Sequence, residues 1–86
     1  MKNGKITLGL VDDHQIVIDG LTALLKGHSR FNFAFATTNS TEVIKQMDEK
    51  PVDILLTDVM MPQLAGNQLA REVKEKFPQV KILMNL

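Results

Sequence analysis

Pro51-Val52-Asp53-Ile54-Leu55-Leu56-Thr57-Asp58 decides how this chain is read. A short apolar run without clean alternation, closing on an acid, reads as a strand covered on both faces, as in a parallel α/β sheet. A second such run lies upstream: Ile6-Thr7-Leu8-Gly9-Leu10-Val11 closes on Asp12-Asp13. In sheets of this kind, chemistry collects just beyond the carboxyl ends of the strands. Two neighbouring strands would therefore deliver Asp12, Asp13 and Asp58 to one small pocket. Carboxylates packed so closely repel one another, and a hard divalent cation with oxygen ligands is the simplest reason for the arrangement.

The elements around these runs alternate. His14 to Lys26 places Ile16, Val17, Leu21, Leu24 and Leu25 at helical spacing, with Gly27 following as a C′ residue. Phe31-Asn32-Phe33-Ala34-Phe35-Ala36 alternates large apolar residues with small or polar ones, which suits an edge strand. Asn39-Ser40-Thr41 offers caps, with Glu42 three residues after Asn39 as in a capping box. Val43, Ile44 and Met47 form the buried stripe of a second helix, which Pro51 ends. Beyond Asp58, Val59 to Gly66 is a loop marked by Pro62 and Gly66. From Asn67 to Phe77, Leu69, Ala70, Val73 and Phe77 make an apolar face opposite Arg71, Glu72, Lys74, Glu75 and Lys76. Pro78 closes that helix, and Val80 to Leu86 reads as a fourth strand. The order β-α-β-α-β-α-β with short loops implies right-handed crossovers and a doubly wound parallel sheet.

Composition narrows the function. At 86 residues and 44% hydrophobic this is one small domain, burying about 60–65% of its unfolded surface. Ten basic and ten acidic residues cancel, which argues against electrostatic attraction to nucleic acid or an anionic membrane. The absence of cysteine removes disulfides and thiolate metal sites. No signal peptide or spanning helix is evident, so a cytoplasmic location is expected.

These residues resemble the receiver domain of two-component response regulators. The resemblance is carried by Val11-Asp12-Asp13-His14, by Pro51 to Asp58, and by Met61-Pro62 with Gly66 following; it runs from about Ile6 to Leu86. Val11-Asp12-Asp13-His14 looks most like the subclass whose output domain is a DNA-binding helix-turn-helix. The resemblance implies a flavodoxin-like sheet with strand order 2-1-3-4, and a phosphoacceptor role in place of enzymatic turnover. Asp58 would take a phosphoryl group from the phosphohistidine of a sensor histidine kinase. Asp13 and Asp58 would hold Mg²⁺ directly, with the backbone carbonyl of Met60 as a further ligand, and Asp12 would act largely through a metal-bound water. Phosphoryl transfer needs an in-line nucleophile and charge neutralisation more than covalent help, and Mg²⁺ keeps several waters beside one or two carboxylates.

Two family residues have no counterpart. The hydroxyl that the family places at the end of the fourth strand falls at Leu86, after Asn85, and neither side chain has one. The family's Lys at the end of a fifth strand finds no strand here to carry it. Lys81 begins the fourth strand, five residues and about 16 Å from that strand's far end. A single partial receiver over 1–86 is expected, without the fifth strand and last two helices and impaired in switching.

Blander readings apply to single residues. One of Asp12 and Asp13 could merely cap the first helix, but capping explains neither the doubling nor Asp58. Asp58 alone could be a strand-ending turn residue. Asp53 stands at the wrong end of its strand for the pocket and reads as solvated; His14 reads as a helix-start residue and His28 as surface. Met61 reads as partly buried, whereas Met60 matters for its carbonyl. Gly9, inside a strand, implies close approach of a packed element, and Gly66 a special backbone conformation or close contact. Lys74 and Lys76 read as a solvated face.

Among other functions, a haloacid-dehalogenase-type hydrolase would need an Asp where Met60 stands, and a nucleotide-binding Rossmann domain would need a Gly-rich first turn. A self-associating module remains the alternative. Val80, Ile82, Leu83, Met84 and Leu86 would leave an apolar sheet edge, so a homo-oligomer through the fourth strand and uncovered sheet faces is expected.

Overall fold

In the computed structural model, which describes residues 4–58 and 66–85, the runs ending at Asp12 and Asp58 are adjacent strands. The elements are β1 (Ile6–Val11), α1 (Gln15–Lys26), β2 (Phe31–Thr37), a 3-10 turn (Ser40–Glu42) leading into α2 (Val43–Glu49), β3 (Ile54–Asp58), α3 (Gly66–Lys76) and β4 (Lys81–Asn85). The four strands form one parallel sheet in the order β2-β1-β3-β4. This is the flavodoxin-like order the sequence implies, with Phe31 to Thr37 on an edge.

Strand side chains alternate between the two faces. Val11, Phe35 and Leu55 pack with Val43 and Met47 of α2 and with Leu69 and Val73 of α3 in one buried cluster. Leu10 and Leu56, at the alternate positions, lie with Leu21 of α1 on the other face. Both faces are covered, which is why neither β1 nor β3 shows a polar side. Leu55 is wholly buried, and its truncation to Ala would cost about 2–5 kcal/mol.

The stripes predicted for α2 and α3 are the buried ones: Val43, Met47, Leu69 and Val73 are inaccessible, and Ile44 and Phe77 pack against them. The stripe predicted for α1 is partly wrong. Ile18 is its buried residue, whereas Ile16 is 81% and Leu24 69% exposed. Ile16 is two residues, and so about 160°, round the helix from Ile18. Gly27 is also not a left-handed C′ residue; its φ is −72°. Instead the helix tightens, His28 N–H donating to the Leu25 carbonyl at 3.0 Å.

The capping box is half formed. Asn39 Oδ1 accepts from the Thr41 N–H at 3.0 Å, but Glu42 Oε2 takes the Thr37 hydroxyl at 3.2 Å. Thr37 Oγ1 in turn accepts the Asn39 N–H at 3.0 Å, satisfying the donor that Glu42 would have met.

Asp53 is not simply solvated. Its Oδ2 accepts the Thr7 N–H at 2.8 Å, its own N–H donates to the Thr7 carbonyl at 2.8 Å, and its carbonyl accepts from Lys81 N–H at 3.0 Å. One residue thus ties β1, β3 and β4 together where β3 and β4 begin. Lys74, exposed as predicted, turns its ammonium back onto the carbonyls of Pro78 and Val80. Lys76 pairs with Asp48 of α2 at 2.6 Å.

Candidate functional site

Register builds the site. Leu10 pairs with Leu56 and Val11 with Thr57, so the residues that follow, Asp12 and Asp58, emerge side by side at the carboxyl ends of β1 and β3. Asp12 is buried and Asp13 and Asp58 are partly so. Ligating atoms of Asp12, Asp13, His14 and Asp58 all lie within 4.8 Å of one another. β4 continues the pattern, Asn85 pairing with Asp58. The structure therefore brings together three of the four metal ligands implied by the sequence. The fourth, Met60, lies outside the described residues, as do Met61, Pro62 and Leu86.

Neither acid is the N-cap that the bland reading proposed, since His14 holds that position, but Asp12 still braces the turn into α1. Its Oδ1 accepts the backbone N–H of His14 at 2.9 Å, satisfying a donor at the start of α1. His14 is the N-cap residue yet offers the helix no side-chain cap. Its ring turns to the acids instead: Nδ1 is 3.1 Å from Asp12 Oδ1 and 2.9 Å from Asp13 Oδ1. The hydrogen bond to Asp12 raises the His14 pKa above its ordinary 6.5, with the Asp13 and Asp58 charges adding to it. His14 is thus the residue the sequence reading underrated, and its place directly after the acid pair was the available signal.

One ring proton cannot serve two acceptors. The Asp12 contact has hydrogen-bond geometry, and Asp13 Oδ1, although 2.9 Å from the ring and shut off from water, accepts no hydrogen bond. A buried carboxylate oxygen without a donor, facing two further acids, fits an inner-sphere cation. Beneath Asp12 and Asp58, a cavity of about 20 Å³ is lined by Leu10, Leu21, Leu56 and Thr57, enough for one water. A wider depression of about 640 Å³ by α2 and α3, lined by Thr41, Ile44, Glu72, Glu75 and Lys76, has no comparable convergence of groups.

Parallel β2-β1-β3-β4 order with acids at the ends of β1 and β3 defines a class, and sequence comparison agrees. The family model of the response regulator receiver domain matches residues 8–85, and the chain belongs to that family. Among curated relatives, the transcriptional regulatory protein YdfI of Bacillus subtilis is 31% identical over 75 residues, covering 87% of this chain and 35% of YdfI. The response regulator protein VraR of Staphylococcus aureus is 30% identical over 74 residues, covering 86% and 35%. Among solved structures, the non-phosphorylated receiver domain of the stress response regulator RcsB from Escherichia coli superposes with a TM-score of 0.88 at 26% identity, over 95% of this chain and 65% of that one. The chain thus spans about a third of the length of these curated relatives. No helix among the described residues is long and apolar enough to cross a membrane.

Proposed function

We propose that this chain is a phosphoacceptor: Asp58 receives a phosphoryl group from the phosphohistidine of a sensor histidine kinase. The observation that carries this reading is the register of β1 on β3, which sets Asp58 beside Asp12 and Asp13. A carboxylate oxygen of Asp58 would attack phosphorus in line as the P–N bond breaks, and the departing imidazole would keep the nitrogen lone pair. Asp12, Asp13 and Asp58 would hold Mg²⁺, together with the Met60 carbonyl. When bound, the cation offsets charge on the phosphoryl oxygens. Asp12 also orients the start of α1, so its carboxylate is fixed before any ligand arrives.

Acetyl phosphate, a small-molecule donor, tests this reading. With Mg²⁺ present, intact-mass spectra should show one added phosphoryl group in the natural chain and none in Asp58→Asn. Equal addition in both would overturn the assignment. The reading implies a cytoplasmic location and a role in phosphorelay signalling in which this segment makes no direct contact with nucleic acid. It makes the chain a substrate of its kinase, not an enzyme in the ordinary sense.

A second reading, self-association, is favoured by one feature. On β4, Leu83 is 45% and Met84 41% exposed, and with Leu21 and Leu56 they line an open depression of about 240 Å³. The two readings are compatible, since this surface is formed by residues other than the acids.

A further inference from the structure

Thr57 is a polar residue where packing alone would take an apolar one. It follows Ile54-Leu55-Leu56 in β3, is 1% exposed, and pairs with the buried Val11 of β1. Val has the same branched shape without a hydroxyl to withdraw from water, and a buried hydroxyl is costly unless it is hydrogen-bonded. Here the hydroxyl has a specific partner: Thr57 Oγ1 donates to the main-chain carbonyl of Asp58 at 3.1 Å. Thr57 also lines the small cavity beneath Asp12 and Asp58.

The bond falls where β3 loses the support of β1. The register of these two strands ends at Val11 and Thr57, and the next residue of β1, Asp12, donates its N–H to the Thr37 carbonyl of β2 at 3.2 Å. The β1–β3 ladder therefore stops one residue short of Asp58, and the Thr57 hydroxyl braces the main chain from which the Asp58 carboxylate projects. In-line attack is demanding of geometry, and a misplacement of about 1 Å can slow a reaction about a hundredfold. We propose that Thr57 is a positioning residue for phosphoryl transfer, its hydroxyl acting through the Asp58 carbonyl to fix the nucleophile. The inference rests on the phosphoacceptor reading above and deepens it with a residue outside the acid cluster.

Acetyl phosphate with Mg²⁺ gives a first-order labelling rate by intact mass for the natural chain, Thr57→Ser and Thr57→Val, each first shown to be folded by urea titration. Packing and hydrogen bonding predict opposite orders. Ser keeps the donor and loses the methyl group, whereas Val keeps the shape and loses the donor. A positioning hydroxyl should leave Thr57→Ser within about twofold of the natural rate and slow Thr57→Val about tenfold. Should Thr57→Val fail to fold, Thr57→Cys, with only a weak S–H donor, takes its place with the same expectation. Labelling of Thr57→Val at the natural rate, or slower labelling of Thr57→Ser than of Thr57→Val, would overturn the role of Thr57 and leave the phosphoacceptor reading standing. A natural chain that gains no phosphoryl group removes that reading, and this inference with it.

Discussion

The Phe35 ring occupies the space that a side chain on Gly9 would need: a Cβ built at Gly9 stands 2.5 Å from the ring's Cζ. The pairing of β1 with β2 explains why. Leu8 pairs with Phe33 and Gly9 with Phe35, so Ala34 is an extra residue in β2, and the slip puts Phe35 opposite Gly9. Phe35 is buried in the cluster shared with α2 and α3, so the ring has little room to retreat. Gly9→Ala should destabilise the fold by about 1–3 kcal/mol, as overpacking does. Urea unfolding checks it, and pairing the change with Phe35→Leu should recover part of the loss. Full stability in Gly9→Ala alone would show that the ring moves freely.

Asp53 should matter to stability and leave the acid pocket untouched. Removing its carboxylate orphans the partly buried Thr7 N–H, at about 1–3 kcal/mol. Asp53→Ala should therefore lower the urea midpoint more than Asp53→Asn, which keeps an acceptor oxygen. Cation binding should match the natural chain in both variants, since Asp53 precedes β3 and the acids follow β1 and end β3.

Much of this fold was legible because burial on both faces left its trace in β1 and β3, and because α2 and α3 each present a single apolar stripe. The acids were legible as strand ends. What stayed hidden depended on orientation or on distant pairing. Ile16 and Leu24 look like core residues in a one-dimensional pattern, yet α1 meets the sheet through Ile18 and Leu21. Asp53 gains its role from the β1 and β4 backbones, which nothing in its neighbourhood announces. His14 needed the turn ahead of α1, closed by Asp12 Oδ1 on its backbone N–H, to bring its ring to Asp12 and Asp13.

Mg²⁺ should stabilise the chain by linkage, because a cation held by the assembled acids binds the folded state in preference to the unfolded one. The thermal midpoint should rise with millimolar Mg²⁺, and Asp13→Ala should abolish the rise. An equal rise in that variant would locate the cation elsewhere.

Free of cations, the protein should carry a pH signature from His14. Its pKa in the folded state lies above 6.5, so the native chain holds the proton more tightly than the unfolded chain does. The resulting stabilisation is complete below the unfolded pKa and is lost as pH rises through the folded one. In chelator, the midpoint advantage of the natural chain over His14→Gln should be larger near pH 5.5 than near about pH 8.5. An advantage that grows with pH would contradict the contacts to Asp12 and Asp13.

Self-association should run through β4. Among the described residues β4 is an edge of the sheet, and Leu83, the register partner of Leu56, is exposed beside Leu21 and Met84. An exposed apolar edge favours pairing with another chain, and a formal net charge of zero adds no long-range repulsion. Each ~100 Å² of apolar surface buried between copies would contribute about 2.5 kcal/mol before association costs, so an interface of ordinary size could sustain a dimer. Sedimentation at micromolar concentration should give a species heavier than the 9.6 kDa chain. Leu83→Lys should shift it to the monomer, because pairing would then require burying an ammonium group. A single 9.6 kDa species at every concentration, unaltered by Leu83→Lys, would show that this apolar edge is tolerated in the monomer.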